Sequence, residues 1–178
     1  FSACGLRRDI GAVLAQQRHY SQAILQLQAL TTDACMVGLT ENDGWRPRAL
    51  ADLSQAQLDN GDAVAAYATA TQALAYGRKA LKGNYELAIP AFALARAALA
   101  LQRPAEAEPL LREALALRGP VHPADDPRML EVKVGLIIAL RALKKFDDAG
   151  VLAAEVEPVL TGSTSPLAAE LRERLTSH

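Results

Sequence analysis

The sequence predicts an all-α protein built from stacked helical hairpins, and three observations predict it. Alanine and leucine dominate a chain of 178 residues in which 51% are hydrophobic, 4% aromatic and few β-branched, a composition of good helix formers. Apolar positions recur at spacings of three and four throughout, and no stretch alternates as a half-buried strand would. One alanine also returns on a period near 42: Ala23, Ala66, Ala107 and Ala149 are 43, 41 and 42 residues apart.

Punctuation places the elements. Polar, Gly- and Pro-bearing stretches at Gly38–Pro47, Lys82–Asn84, Gly119–Pro127 and Thr161–Ser165 separate four runs, each long enough for two helices. The single domain, 1–178, thus holds repeats at about 3–40, 46–82, 84–119 and 126–161. In the first, a helix carrying Ile10-Gly11 turns at Gln17-Arg18-His19 into a second with Tyr20, Ala23, Leu27 and Leu30. Leu53-Ser54, the turn Asn60-Gly61-Asp62 and Ala63, Ala66, Ala70 and Ala73 repeat the register. Leu94-Ala95, Gln102-Arg103-Pro104 and Ala107, Leu111 and Ala114 do so a third time. Leu136-Ile137, Lys144-Lys145, Phe146, Ala149, Ala153 and Val156 complete the fourth. Small residues at the first-helix slot and at the anchor let two antiparallel helices approach closely. Finally Ser165 as N-cap, Pro166 at the first helical position and an amphipathic Leu167–Leu175 predict a short capping helix over 165–176.

The remaining composition excludes several classes of function. With 19 Lys+Arg against 20 Asp+Glu, the formal net charge is −1, without the basic excess that nucleic acid demands. No Gly-rich phosphate loop and no aromatic–basic interleaving is present. The most apolar stretch, Ile89–Leu101, is 13 residues long and contains Arg96, short of the roughly 20 a membrane span needs. The chain opens at Phe1 without a methionine, which reads as a piece of a larger polypeptide. His122, Asp125 and Asp126 share a proline-rich loop without the helix-borne spacing of metal ligands. His19 and His178 have no nucleophile or orienting carboxylate arranged beside them, and Glu106, Glu108 and Glu113 with Arg112 read as an exposed charged face. Neither metal, cofactor nor catalysis is expected.

The small residue after a leucine in the first helix, the residue after the turn (Tyr20, Pro104, Phe146) and the second-helix alanines resemble the tetratricopeptide repeat family, most clearly over Arg103–Leu117. That family repeats at 34 residues. The longer period here is similar to the variety found in kinesin light chains and in arms of bacterial kinases and regulators, and Gly119-Pro-Val-His-Pro123 looks like its linker. The resemblance implies a right-handed α-solenoid of about four hairpins with a capping helix. Departures are Ile137 at a small slot, Lys133 and Arg7 at apolar ones, and Leu14, Gln57, Ala98 and Leu140 where helix A usually has an aromatic.

By the same resemblance, A helices line a concave groove. Three-and-four spacing then aims Arg8, Ala12, Ala15, Arg48, Gln55, Leu58, Phe92, Arg96, Leu99, Val134, Ile138 and Arg141 inward. Arginines on an apolar floor suit an acidic protein or peptide with apolar anchors. Arg8, Arg48, Arg96 and Arg141 should converge there with Phe92 exposed, unless local Asp and Glu partners neutralise them on a solvated face. The family's lysine–asparagine carboxylate clamp does not map, because its slots hold Ala51, Gln55, Phe92 and Arg96. The expected role is a non-catalytic protein- or peptide-binding arm of a larger protein, and the alternative is self-association into a homo-oligomer. An excess of 14 Arg over 5 Lys hints at a bacterial source.

Two further residues bear on the same reading. Cys4 and Cys35 face each other across the first hairpin, which permits a disulfide within roughly 7 Å between Cα atoms. Two reduced thiols packed as small hydrophobes, in a reducing cytoplasmic setting, are the expectation. Trp45, the only tryptophan, is expected as a wedge between neighbouring units rather than a partner anchor.

Overall fold

The computed structural model describes residues 3–31 and 44–177. Within them the chain forms helices α1 (Ala3–Gln16), α2 (Tyr20–Gln28), α3 (Trp45–Asp59), α4 (Ala63–Ala80), α5 (Ala88–Ala100), α6 (Pro104–Arg118), α7 (Pro127–Ala142), α8 (Phe146–Gly162) and α9 (Pro166–Thr176). Single 3-10 turns run over Ala29–Thr31 and Tyr85–Leu87, and no strand occurs among the described residues. Most of the expected break at Gly38–Pro47, the end of the first repeat and Cys35 lie outside the described residues. Among those described, no helix is long and apolar enough to cross a membrane.

Helices pair in chain order, α1 with α2, α3 with α4, α5 with α6 and α7 with α8, and each pair stacks on the next. A helices also touch A helices along the array, α1 against α3, α3 against α5 and α5 against α7. This is an all-α solenoid.

The periodic alanines sit where the pairs meet. Ala23, Ala66 and Ala107 are fully buried and Ala149 almost so. Opposite Ala23, a Cβ added at Gly11 would lie 2.8 Å from Leu27 Cγ, so that slot has no room for a side chain. In the second pair the Ser54 hydroxyl donates to the Ala66 carbonyl at 2.8 Å. Ile137 fills the equivalent slot of the fourth pair and is fully buried in a core shared with Leu111, Ala149, Val156 and Leu171. Lys133, the other departure there, reaches across to Glu155 at 3.3 Å.

One turn geometry joins all four pairs. Arg18, Gly61, Gln102 and Lys144, each five residues before an anchor alanine, hold φ of 61°, 88°, 57° and 60°. The following amides of His19, Asp62, Arg103 and Lys145 each donate 2.9 Å to the carbonyls of Leu14, Gln57, Ala98 and Leu140. The left-handed residues themselves donate to Ala15, Leu58, Leu99 and Arg141. This double closure is the Schellman motif, which satisfies carbonyls that a helix end otherwise leaves open.

Between the third and fourth pairs, buried Arg118 donates to the Arg128 carbonyl at 2.7 Å. Asp126 caps α7 by accepting from the Arg128 amide at 2.8 Å. His122 lies 3.6 Å from Asp126 and edge-on to Tyr85. Trp45 is the first residue of α3 rather than a linker residue, and it packs against the core of the first two pairs. Cys4 is disulfide-bonded. This corrects the expectation of a reduced thiol: the start of α1 lies half-buried against Ala23, Leu27 and Leu30 at the end of its antiparallel partner, within reach of that end. Disulfides persist in oxidising surroundings, so the cysteines lend no support to a reducing compartment.

The last pair is covered by α9, whose Ala168, Leu171 and Leu175 are buried against α7 and α8. Ser165 accepts from the Ala168 amide at 3.1 Å as its N-cap. Arg172 donates to the Leu160 carbonyl at 2.7 Å, and Arg141 to the Leu175 carbonyl at 2.6 Å.

Candidate functional site

α9, docked on the fourth pair, faces the third across a cavity of about 300 Å³ and closes one side of it. The lining comes from Arg96, Leu99 and Ala100 of α5, Gln102 of the turn, Pro104 of α6, Ile138, Arg141 and Ala142 of α7, and Arg174 of α9. Three guanidinium groups therefore stand around an apolar floor, and no carboxylate of the described residues lines the space.

Each arginine is held differently. Arg96 donates to the Gln55 side-chain oxygen and lies 3.8 Å from Asp59, both on α3. Arg141 has one nitrogen committed to the Leu175 carbonyl. Arg174, half-buried, makes no hydrogen bond or ion pair among the described residues. Burial and the nearby Arg96 charge both push its guanidinium below the usual arginine range, against the opposing pull of Glu170, Glu131 and Asp59. Burial also raises the Glu131 carboxyl above the ordinary glutamate range, although Arg96, Arg118 and Arg174 draw it down.

Of the residues read from the sequence, Arg96, Leu99, Ile138 and Arg141 share this cavity. Arg8 and Arg48 do not line it. Arg8 pairs with Asp52 at 2.7 Å and lies 5.6 Å from the Trp45 ring centroid, while Arg48 faces Glu86 at 3.4 Å. For these two the local-partner alternative describes the geometry. Gln55 serves as a strut between Arg96 and Asp59, accepting from one and donating to the other at 2.7 Å.

Phe92 and Val134 require correction. Phe92 is only 8% exposed, with the guanidinium carbons of Arg96 and Arg118 5.9 and 5.6 Å from its ring centroid, and Val134 is fully buried. Neither lines the cavity. The reason is that helices inside a stack touch neighbours on several sides, so their free stripe is narrower than that of an isolated amphipathic helix. Conversely, Arg174 was missed because α9 reads from sequence only as a cap. A basic residue at position 174, three after the buried Leu171 and outside the apolar stripe, was the available signal.

No protein-family model matches the chain, and no curated protein does. Solved structures do match. The nearly identical TPR-like repeats of a kinesin-light-chain-like protein from Podosopora anserina superpose with TM-score 0.76, at 20% identity, over 96% of this chain and 82% of theirs. A second structure of those repeats gives TM-score 0.74 with the same identity and coverage. The fold is that of TPR-like repeats. Across the Gly119–Pro127 linker Arg118 donates to the Arg128 carbonyl, which ties one TPR-like pair to the next.

Proposed function

We propose that this TPR-like array is a non-catalytic scaffold that binds a protein or peptide along its A-helix surface, the concave side, as the interaction arm of a larger bacterial protein. The observation that carries this is the cavity at α5, α6, α7 and α9, where Arg96, Arg141 and Arg174 surround Leu99 and Ile138. Guanidinium groups recognise carboxylates and phosphates bidentately, and the apolar floor accepts aliphatic side chains. A panel of acidic peptides with apolar neighbours tests it. Wild-type protein is expected to capture members of the panel, and the Arg96→Glu, Arg141→Glu double variant, shown folded by circular dichroism, is expected to bind at least tenfold more weakly. Equal binding by the folded variant refutes the assignment.

Self-association is a second reading, favoured by one observation. Leu6, Ile10 and Val13 form a stripe on α1 at four- and three-residue spacing and are 59%, 43% and 49% exposed, at the end of the stack where, among the described elements, α1 packs on α2, the Ala29–Thr31 turn and α3. Sedimentation equilibrium should show mass rising with concentration for wild type and a fixed monomer mass for Leu6→Glu, Ile10→Glu. A wild-type monomer at all concentrations removes this reading.

A further inference from the structure

We infer that the cavity closed by α9 recognises a phosphorylated side chain of a peptide, with Arg174 as the residue that demands the phosphoryl group. The inference rests on the peptide-binding reading above and names the chemistry of that site.

The first support is the donor set. A carboxylate has two oxygens and is matched by one guanidinium, whereas a phosphoryl group presents three strong acceptor oxygens and nearly two negative charges. Here three guanidinium groups and the Gln102 amide surround one cavity, and no carboxylate of the described residues is among its lining. The second is the way these donors are held. Arg96 is braced by Gln55 and Asp59, and Arg141 by the Leu175 carbonyl. Each keeps further N–H groups uncommitted, and bracing reduces the ordering that a ligand would otherwise impose. Arg174 is braced by no hydrogen bond or ion pair among the described residues.

Charge supplies the third. Burial and the adjacent Arg96 cation both disfavour the Arg174 charge. The acids that answer it, Glu170, Glu131 and Asp59, lie outside the cavity lining. Burial opposes the charge on Glu131 itself. A dianion inside the cavity would offset both penalties by direct attraction to the Arg174 charge. Size is the fourth: about 300 Å³ lies at the small end of ligand sites and suits one phosphorylated side chain. Leu99, Pro104 and Ile138 then meet the aliphatic residues beside it.

The probe is a degenerate peptide library carrying one phosphoserine or phosphothreonine between apolar residues, compared with the same library after phosphatase treatment, on the immobilised 178-residue chain. Retention of the phosphorylated library is expected to exceed that of the treated one at least tenfold. Arg174→Ala should abolish the difference while leaving the circular dichroism spectrum and thermal midpoint unchanged, and Arg174→Lys should restore part of it. Equal retention of both libraries, or full discrimination by Arg174→Ala, overturns the inference. If millimolar inorganic phosphate perturbs the arginine side-chain resonances while neither library is retained, the ligand is free phosphate and the peptide assignment falls. Capture of unphosphorylated acidic peptides that depends on Arg96 and Arg141 but not on Arg174 would sink the phosphoryl inference while leaving the scaffold reading intact.

Discussion

Gln57 occupies the helix A slot that Leu14, Ala98 and Leu140 fill in the other three pairs. It is 8% exposed, and its side-chain oxygen is buried with no hydrogen-bond partner among the described residues. A buried acceptor left open costs about 1–3 kcal/mol. Gln57→Leu removes that atom and keeps similar bulk, so it should raise stability by about 1 kcal/mol in urea melts with an unchanged slope. A lowered midpoint would mean that the amide packs better than any apolar replacement. The slot was legible in the sequence as a departure from the repeat. Its energetic consequence was not, since residue spacing does not say which polar atoms find partners. Phe92 and Val134 teach the same lesson: spacing gives the face of a helix, while the depth at which a residue lies is set by the helices on either side.

At the scale of elements, one device is used four times with unequal residues. The left-handed position of the hairpin turn is Gly61 once, and Arg18, Gln102 and Lys144 elsewhere. A side chain there costs roughly 1–2 kcal/mol, partly offset by the extra freedom of glycine when unfolded. Lys144→Gly is thus expected to stabilise by about 0.5–1 kcal/mol, and Gly61→Ala to destabilise by a similar amount. A Cβ at Gly61 meets nothing within 4 Å, so its cost would be conformational alone. Calorimetry on both variants checks the pair, and shifts of the same sign would refute the argument. The anchor alanines revealed where these turns fall. The geometry itself could not be read, because three of its four positions lack the glycine or asparagine that announces it.

Across the whole molecule, stability against pH combines opposing groups. Glu108, through its hydrogen bond to Lys145 with help from Arg112, and Asp126, through Arg128, have carboxyls held below their ordinary values of 4.5 and 3.8. The unfolded chain binds protons more readily at these sites, so their stabilisation is present above those values and lost on acidification. Glu131 runs the other way. Its carboxyl lies above 4.5 in the fold, so the folded chain holds the proton longer and stability declines as pH rises from 4.5 through its elevated value. Glu131→Gln should flatten urea midpoints over that range and leave the acid limb in place. An unchanged slope would show that Glu131 titrates normally. The hairpins and the capping helix were legible because they repeat or are bounded by local signals. The cavity was only half legible, since Arg96 and Arg141 lie on the A-helix stripe that three-and-four spacing reads but Arg174 reaches them through the three-dimensional docking of α9.

That docking gives α9 two duties with one consequence for how such arrays grow. Its buried face covers the last apolar surface, and its Arg174 completes the cavity wall. Lengthening the array by duplicating a hairpin at this end would put new helices where α9 sits and carry Arg174 away from Arg96 and Arg141. Copy number and the make-up of the cavity wall are therefore locked together at this end.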